Sequence, residues 1–240
     1  MKILLATSNP HKIEEIQAVF EAEPKRAGSC GVAPVEVEFI GLGDLGASLP
    51  EPVEDQDTFD GNAILKARHY ASLSGLVCLA DDSGLEVDAL GGEPGVRSAR
   101  FAGVDGPRDV ADRANNALLL TRLGETPAAG RQARFVCAMA LCAPAPGGTA
   151  AGGTEGPVLA LMRGTVEGRI LGPGDPGYDL NNPGGRGSNG FGYDPLFLLP
   201  DQSKTTAELS PPQKNRISHR GQAARKMWKW IGREATNGEA

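Results

Sequence analysis

An apolar run at positions 76–80, LVCLA, stops abruptly at two adjacent carboxylates, Asp81 and Asp82, followed by Ser83 and Gly84. A short apolar run bounded by polar punctuation reads as a buried strand. In an α/β protein the carboxyl end of such a strand is where ligands collect. A strand held by its neighbours fixes where Asp82 points, and the small Ser83 and Gly84 let backbone and substrate come close. That suits a metal or general-base site. The same four residues equally suit a turn between two strands, because Asp and Ser bond their own backbone and Gly supplies positive φ.

Around this stretch, β-like and helical patterns alternate. Residues 2–7 are β-like, and Ile13, Ile16, Val19 and Phe20 then recur at helical spacing. Between them lie Thr7, Ser8, Asn9, Pro10, His11 and Lys12, a loop that offers hydroxyls, helix-terminal N–H groups and one cation to an anion. It lacks the Gly-rich P-loop pattern, so a plainly capped helix start is an equal reading. Residues 23–31 read as loop and 35–42 as strand. Acid then accumulates at Glu51, Glu54, Asp55 and Asp57 before a helix over 58–74. On that helix Thr58, Asn62 and Lys66 recur every fourth residue and share one face. Further on, 85–90 reads as a second strand and 91–95 as a turn. A helix over 107–123 is expected to pack through Val110, Ala114, Ala117, Leu118 and Leu120. Residues 135–143 and 157–170 read as strands, with a Gly/Ala/Pro-rich piece at 144–153 between them. A Gly/Pro/Asn-rich loop over 172–190 precedes Phe191, Gly192, Tyr193 and Asp194. Ser210-Pro-Pro-Gln starts a short helix containing Lys214. Ser218 caps a last helix whose first turn holds His219 and Arg220, and whose Ala223, Ala224, Met227, Trp228 and Ile231 face a core.

With 240 residues the chain can bury a sizeable core without staples. Its net charge of −6 supplies no cationic field for a nucleic acid polymer, so a polyanionic ligand needs local Lys and Arg or a metal. The four cysteines, Cys30, Cys78, Cys137 and Cys142, form no C-x-x-C pair, and the last three sit in apolar runs as reduced core residues. The N-terminus turns polar too early for a signal peptide, and no apolar run reaches membrane-span length, so a cytoplasmic protein is expected. Carboxylates can hold Mg2+, Lys12, Lys66 and Lys214 can neutralise a polyphosphate, and an aromatic, an Asp, a His and an Arg can hold a base.

Six motifs in order carry a family resemblance: T-S-N-x-x-K at Thr7, T-F-x-x-N-A-x-x-K-A at Thr58, A-D-D-S-G-L-E-V-D-A-L-G-G at Ala80, P-G-V-R-S-A-R-F at Pro94, G-F-G-Y-D-P at Gly190 and S-H-R-G-Q-A at Ser218. They resemble the inosine triphosphate pyrophosphatases, the house-cleaning enzymes of non-canonical purine nucleotides. The resemblance implies a mixed, strongly twisted α/β sheet with flanking helices, in two lobes around a central active-site cleft. It also implies a single domain over 1–240, a homodimer, dependence on Mg2+, and hydrolysis of ITP, dITP and XTP to monophosphate and pyrophosphate. On this chain it makes residues 7–12 the phosphate loop and Asp82 the proton acceptor and a metal ligand. Ser83 would touch substrate, and Glu54 would be the second metal carboxylate. Phe191, Gly192, Tyr193, Asp194, Lys214, His219 and Arg220 would complete the substrate site, with Asn62 and Lys66 on the helix face. The region before Thr58 is longer than the family pattern, which leaves Asp55 and Glu51 as alternatives to Glu54. Residues 172–186 read as a flexible insertion unable to bury apolar surface.

Overall fold

The computed structural model describes residues 1–23, 37–46, 48–145, 155–181, 183–200 and 203–237. Cys30 and nearly all of the loop expected over 23–31 lie outside the described residues, as do 35–36 of the second strand and most of the 144–153 segment. Six strands, β1 (Lys2–Leu5), β2 (Glu38–Gly41), β3 (Val77–Val87), β4 (Gln132–Cys142), β5 (Val158–Ile170) and β6 (Phe197–Leu198), form one sheet in the order β2-β1-β3-β4-β5-β6. β1 runs parallel to both β2 and β3, while β5 and β6 are antiparallel, so the sheet is mixed. Among the described residues five α-helices accompany it: α1 (Pro10–Ala22), α2 (Phe59–Ser74), α3 (Arg108–Leu123), α4 (Pro211–Ile217) and α5 (His219–Asn237).

The chain divides into two compact units. The first comprises Met1–Asp82, Cys137–Gly164 and Arg220–Ala240, the second Ser83–Val136 and Thr165–His219. Each has its own apolar core. In the first, Ile16, Val19 and Phe20 of α1 and Ala223, Ala224, Met227 and Ile231 of α5 are buried with Ile3, Leu5, Leu79, Cys137 and Met139. Phe20 stacks on Phe39 with ring centroids 4.9 Å apart. In the second, Leu119, Leu120 and Leu123 of α3 join Leu85, Val87, Phe135, Ile170, Phe197 and Leu209. The expected apolar face of α5 is thus the observed one. Cys78, Cys137 and Cys142 are buried free thiols, and burial raises all three, Cys142 to about 11 and Cys137 to about 12.

The helix ends follow local chemistry. Thr58 Oγ1 accepts the Gly61 N–H at 3.0 Å, and Gly75 at φ +71° closes α2. Asn9 Oδ1 accepts the His11 N–H, with Pro10 in the first helical position of α1. At α4 the Ser210 N–H donates to Gln213 Oε1 at 2.9 Å.

Four expectations are corrected. Residues 81–84 are neither a strand end nor a turn: β3 continues through them for eleven residues. Asp favours turns when its side chain bonds its own backbone, but here both carboxylates are engaged by α1, α2 and α5, and the backbone stays extended. The strand then stops at Val87, and Asp88–Leu90 is a 3-10 turn. On α3, Val110 is 46% exposed, and the buried face carries Asn115 and Asn116 beside the leucines. A polar core face gives no signal in an apolar periodicity. Finally, the 172–186 segment does cover apolar surface, since Tyr178 packs on the second core and its hydroxyl donates to Gly124 O at 3.4 Å.

Beside Tyr178 lies Arg131, fully buried, whose guanidinium donates to Thr126 O at 2.7 Å, to Leu171 O at 2.9 Å and to Gly124 O. Its Cζ stands 5.2 Å from the Tyr178 ring centroid. It thereby satisfies carbonyls of the turn after α3 and of Leu171, the residue after β5. Arg131→Met keeps the stem but strands these carbonyls, and is expected to cost about 3 kcal/mol of stability in urea unfolding.

Candidate active site

Side chains on a strand alternate between its faces. Because β3 does not break, Asp81 and Asp82 point to opposite sides of it and meet different partners. Asp81 Oδ2 accepts from Lys12 Nζ at 3.0 Å and from Arg220 Nε at 3.2 Å, and its side chain has no exposure. Arg220 also pairs with Glu15, three residues beyond Lys12 and so on the same face of α1. Two cations and two anions are thus closed into one buried chain linking α1, β3 and α5. Burial alone would raise the Asp81 pKa, but Lys12, Arg220 and Lys66 outweigh it and hold the carboxyl well below the usual range. Burial lowers Lys12 despite Asp81. Arg220 is held above its ordinary value, its desolvation outweighed by Asp81 and Glu15.

Asp82 faces α2. Its Oδ2 accepts from Asn62 Nδ2 at 3.2 Å and its Oδ1 meets Lys66 Nζ at 3.3 Å. Asn62 Oδ1 in turn accepts the Gln56 N–H at 3.1 Å, which fixes the amide so that its donor points to Asp82. Lys66 Nζ also lies 3.3 Å from Glu54 Oε1. The helix face of Asn62 and Lys66 read from the sequence is therefore the face that meets Asp82. Burial pushes Asp82 above the ordinary carboxylate value; Lys66 and Lys12 pull it down, and Glu54 adds to the rise. Lys66 is itself raised, its burial outweighed by Asp82, Asp81 and Glu54.

The pair Glu54 and Asp82 fits a hard divalent cation. Its donors are carboxylate oxygens, and a positive group, the Lys66 ammonium, already bridges them. Among the described residues there is no group of three or more His, Cys, Asp or Glu that could hold a metal. Of the acids left open, Glu54 shares Lys66 with Asp82, whereas Asp55 accepts from Gln56 Nε2 and Glu51 from Ser8 Oγ.

The phosphate-loop residues have mixed placements. Thr7 Oγ1 accepts the Asn9 N–H at 3.2 Å, and Asn9 caps α1, so this part is a capped helix start. Lys12 reaches Asp81, Ser8 reaches Glu51, and Pro10 and His11 are the first residues of α1. Ser83, next to Asp82 on β3, is half-buried and belongs to the second unit.

Of the other predicted residues, Phe191, Asp194 and Lys214 form a cluster in the second unit. Asp194 Oδ2 accepts the Phe191 N–H at 2.9 Å and pairs with Lys214 Nζ at 2.6 Å, and its Oδ1 accepts from Thr206 Oγ1 at 2.7 Å. Lys214 Nζ lies 5.0 Å from the Phe191 ring centroid. The preceding Gly190 has φ +81°, and a Cβ there would stand 2.1 Å from Asp194 Oδ2, so only glycine permits this turn. Tyr193 donates its hydroxyl to Ser98 O at 2.8 Å. His219 stacks on Phe135, with centroids 4.9 Å apart. The unit division falls between His219 and Arg220, and Arg220 is with Asp81 in the first unit.

Glu15, Ser98 and Thr206, which meet Arg220, Tyr193 and Asp194, were not legible as partners of the predicted residues. Glu15 sits among ordinary helix-surface residues, and its i, i+3 relation to Lys12 is the signal that could have found it.

Comparison with known proteins gives a consistent result. The model of the Ham1 family matches residues 3–230. A dITP/XTP pyrophosphatase of Exiguobacterium sibiricum is 45% identical over 227 residues, covering 95% of each chain. One from Bifidobacterium animalis subsp. lactis is 40% identical, covering all of both chains. Among solved structures, the Ham1 protein of Staphylococcus aureus is 34% identical with a TM-score of 0.71, covering 98% of this chain and all of that one. The nucleoside-triphosphatase/dITP/XTP pyrophosphatase of Mycobacterium abscessus is 38% identical with a TM-score of 0.65, covering 95% of this chain and 97% of that one.

The two aspartates should respond oppositely to neutralisation. The folded pKa of Asp81 lies below its unfolded value, so the stability it contributes is present above about pH 3.9 and is lost as pH falls through the folded value. Asp81→Asn leaves Lys12 and Arg220 against a neutral amide and is expected to cost about 3–5 kcal/mol at neutral pH. Asp82 has a raised pKa, so its charge is opposed by folding. Asp82→Asn should leave the unfolding midpoint unchanged or higher. Urea unfolding of both variants in chelator at pH 7 checks the contrast.

Proposed function

The chain belongs to the Ham1 family, and from that premise we propose that it is a nucleoside triphosphate pyrophosphatase that hydrolyses ITP, dITP and XTP to the monophosphate and pyrophosphate, cleansing the nucleotide pool. The observation that supports this most is the set on β3 and α2: a buried Asp82 with a raised pKa, oriented by Asn62 and sharing Lys66 with Glu54. A carboxylate poised in this way suits general-base work, because its proton affinity is lifted toward the operating pH.

In this reading Asp82 orients the attacking water and takes its proton. Glu54 and Asp82 would hold Mg2+, which supplies charge neutralisation and Lewis acidity for the phosphates. Lys66 exchanges carboxylate contacts for phosphate oxygens when the substrate arrives, and Lys12, with the residue 7–11 loop, takes the remainder of the triphosphate. Ser83 touches the substrate next to Asp82. Asp81 does no chemistry; it holds Lys12 and, with Glu15, Arg220.

Recognition of the base is assigned to Phe191, Gly192, Tyr193, Asp194, Lys214 and His219, with Arg220 anchoring the start of α5. Hypoxanthine and xanthine share a 6-oxo acceptor that adenine replaces with an amine. A donor aimed at that oxygen loses its partner against adenine, and such mismatches discriminate by about 10⁴-fold. Guanine keeps the 6-oxo group, so its exclusion depends on the 2-amino group. The protein is further proposed to be a cytoplasmic homodimer that binds no nucleic acid polymer; its net charge of −6 supports the latter. Among the described residues no helix is long and apolar enough to cross a membrane.

A panel of ITP, XTP, dITP, GTP and ATP, with and without Mg2+, should show pyrophosphate release from the first three and dependence on the metal. Hydrolysis of ITP in ¹⁸O-water should place the label in IMP, as attack at the α-phosphorus demands. Release of inorganic phosphate instead would overturn the assigned bond. Asp82→Asn should lower kcat by about 10²-fold or more.

A further inference from the structure

Phe191 is flanked by two glycines in the left-handed region, Gly190 at φ +81° and Gly192 at φ +63°. Such flanks give a ring little orientation of its own, because glycine has the widest backbone freedom. What holds Gly192 comes from α3. Asp112 Oδ2 accepts the Gly192 N–H at 2.8 Å, and Asn116 Nδ2 donates to the Gly192 carbonyl at 3.1 Å. Residues 108, 112 and 116 lie four apart and so on one face of the helix. Arg108 completes the row: its Nε is 2.9 Å from Asp112 Oδ1, and its Cζ lies 5.8 Å from the Phe191 ring centroid. The N–H and the C=O of one glycine are thus gripped by two side chains one helical turn apart.

Stability alone does not account for Asn116. Its Oδ1 is buried and has no hydrogen-bond partner among the described residues. An unsatisfied buried acceptor costs about 1–3 kcal/mol, and an apolar side chain on this core face would avoid that cost. Asn115, in contrast, uses both ends of its amide, accepting from Ala102 N and donating to Ser98 O and Ala99 O.

We propose that Asp112 and Asn116 are positioning residues for base selection, which clamp the Gly192 peptide and thereby hold the Phe191 ring at the orientation the purine requires. The inference rests on the assignment of Phe191 to the base site. It acts on binding of the base and not on the chemistry around Asp82.

The test is steady-state kinetics with ITP and ATP, alongside thermal unfolding, on Asp112→Ala, Asp112→Asn, Asn116→Leu and Phe191→Ala. Asp112→Ala and Asn116→Leu are each expected to raise KM for ITP about tenfold, to leave kcat within about twofold, and to narrow the ITP:ATP preference. Asn116→Leu removes the unmet Oδ1 together with the donor to the half-buried Gly192 carbonyl, so its unfolding temperature should change little while KM rises, which separates positioning from a structural role. Asp112→Asn retains an acceptor for the Gly192 N–H and should recover most of the loss. Wild-type KM and preference in both clamp variants, with Phe191→Ala impaired, would overturn the clamp and leave the base site standing. An unimpaired Phe191→Ala would overturn the base-site assignment and the clamp with it.

Discussion

The side-chain alternation of one uninterrupted strand is the constraint on which the first unit depends. β3 passes through Asp81 and Asp82 without a break, so adjacent carboxylates are delivered to opposite faces. One meets α1 and α5, the other α2. Like charges on adjacent residues would repel if they shared one pocket. Placed on opposite faces, each pairs directly with different cations, and their pKa values move in opposite directions. Asp81 becomes a permanently charged anchor and Asp82 a carboxylate whose charge folding opposes.

Lys66 shows how such a site remains folded before a ligand arrives. Two carboxylates in a largely buried setting repel each other, and the ammonium between Glu54 and Asp82 offsets this. Its four-carbon stem rises from α2, whose apolar residues Ala63, Ala67 and Tyr70 are buried. A flexible side chain carrying a point charge can exchange partners in a way a rigid guanidinium cannot. Arg220, with its guanidinium shared between Asp81 and Glu15, has the opposite character and suits a fixed role.

The second unit relies on backbone control by charged side chains. Asp194 binds the Phe191 N–H, the Thr206 hydroxyl and the Lys214 ammonium, and so closes the turn that Gly190 and Gly192 make possible. Both glycines are needed for a conformation other residues rarely adopt. The resulting turn is held by groups drawn from α3, α4 and the 206–208 turn, which are far apart in the chain.

The sequence by itself determined the elements whose signals are local: α1 with its capped start, α2, the buried face of α5, the strands around 135–143 and 157–170, and the shared face of Asn62 and Lys66. Six ordered motifs determined the family, because short chemical patterns survive where the intervening chain varies. Tertiary structure alone decided what depends on partners distant in the chain. Asp-Asp-Ser-Gly reads locally as a turn as readily as a strand, and only its place inside β3 of the sheet, with partners for both carboxylates on α1, α2 and α5, decides for the strand. The polar inner face of α3 is invisible to apolar periodicity, since Asn115 and Asn116 are buried for the carbonyls and amides they meet. His219 and Arg220, read as one pair, meet different partners, the Phe135 ring and the Asp81 and Glu15 carboxylates, because adjacency in a chain fixes distance along the backbone and not the direction in which each side chain leaves it.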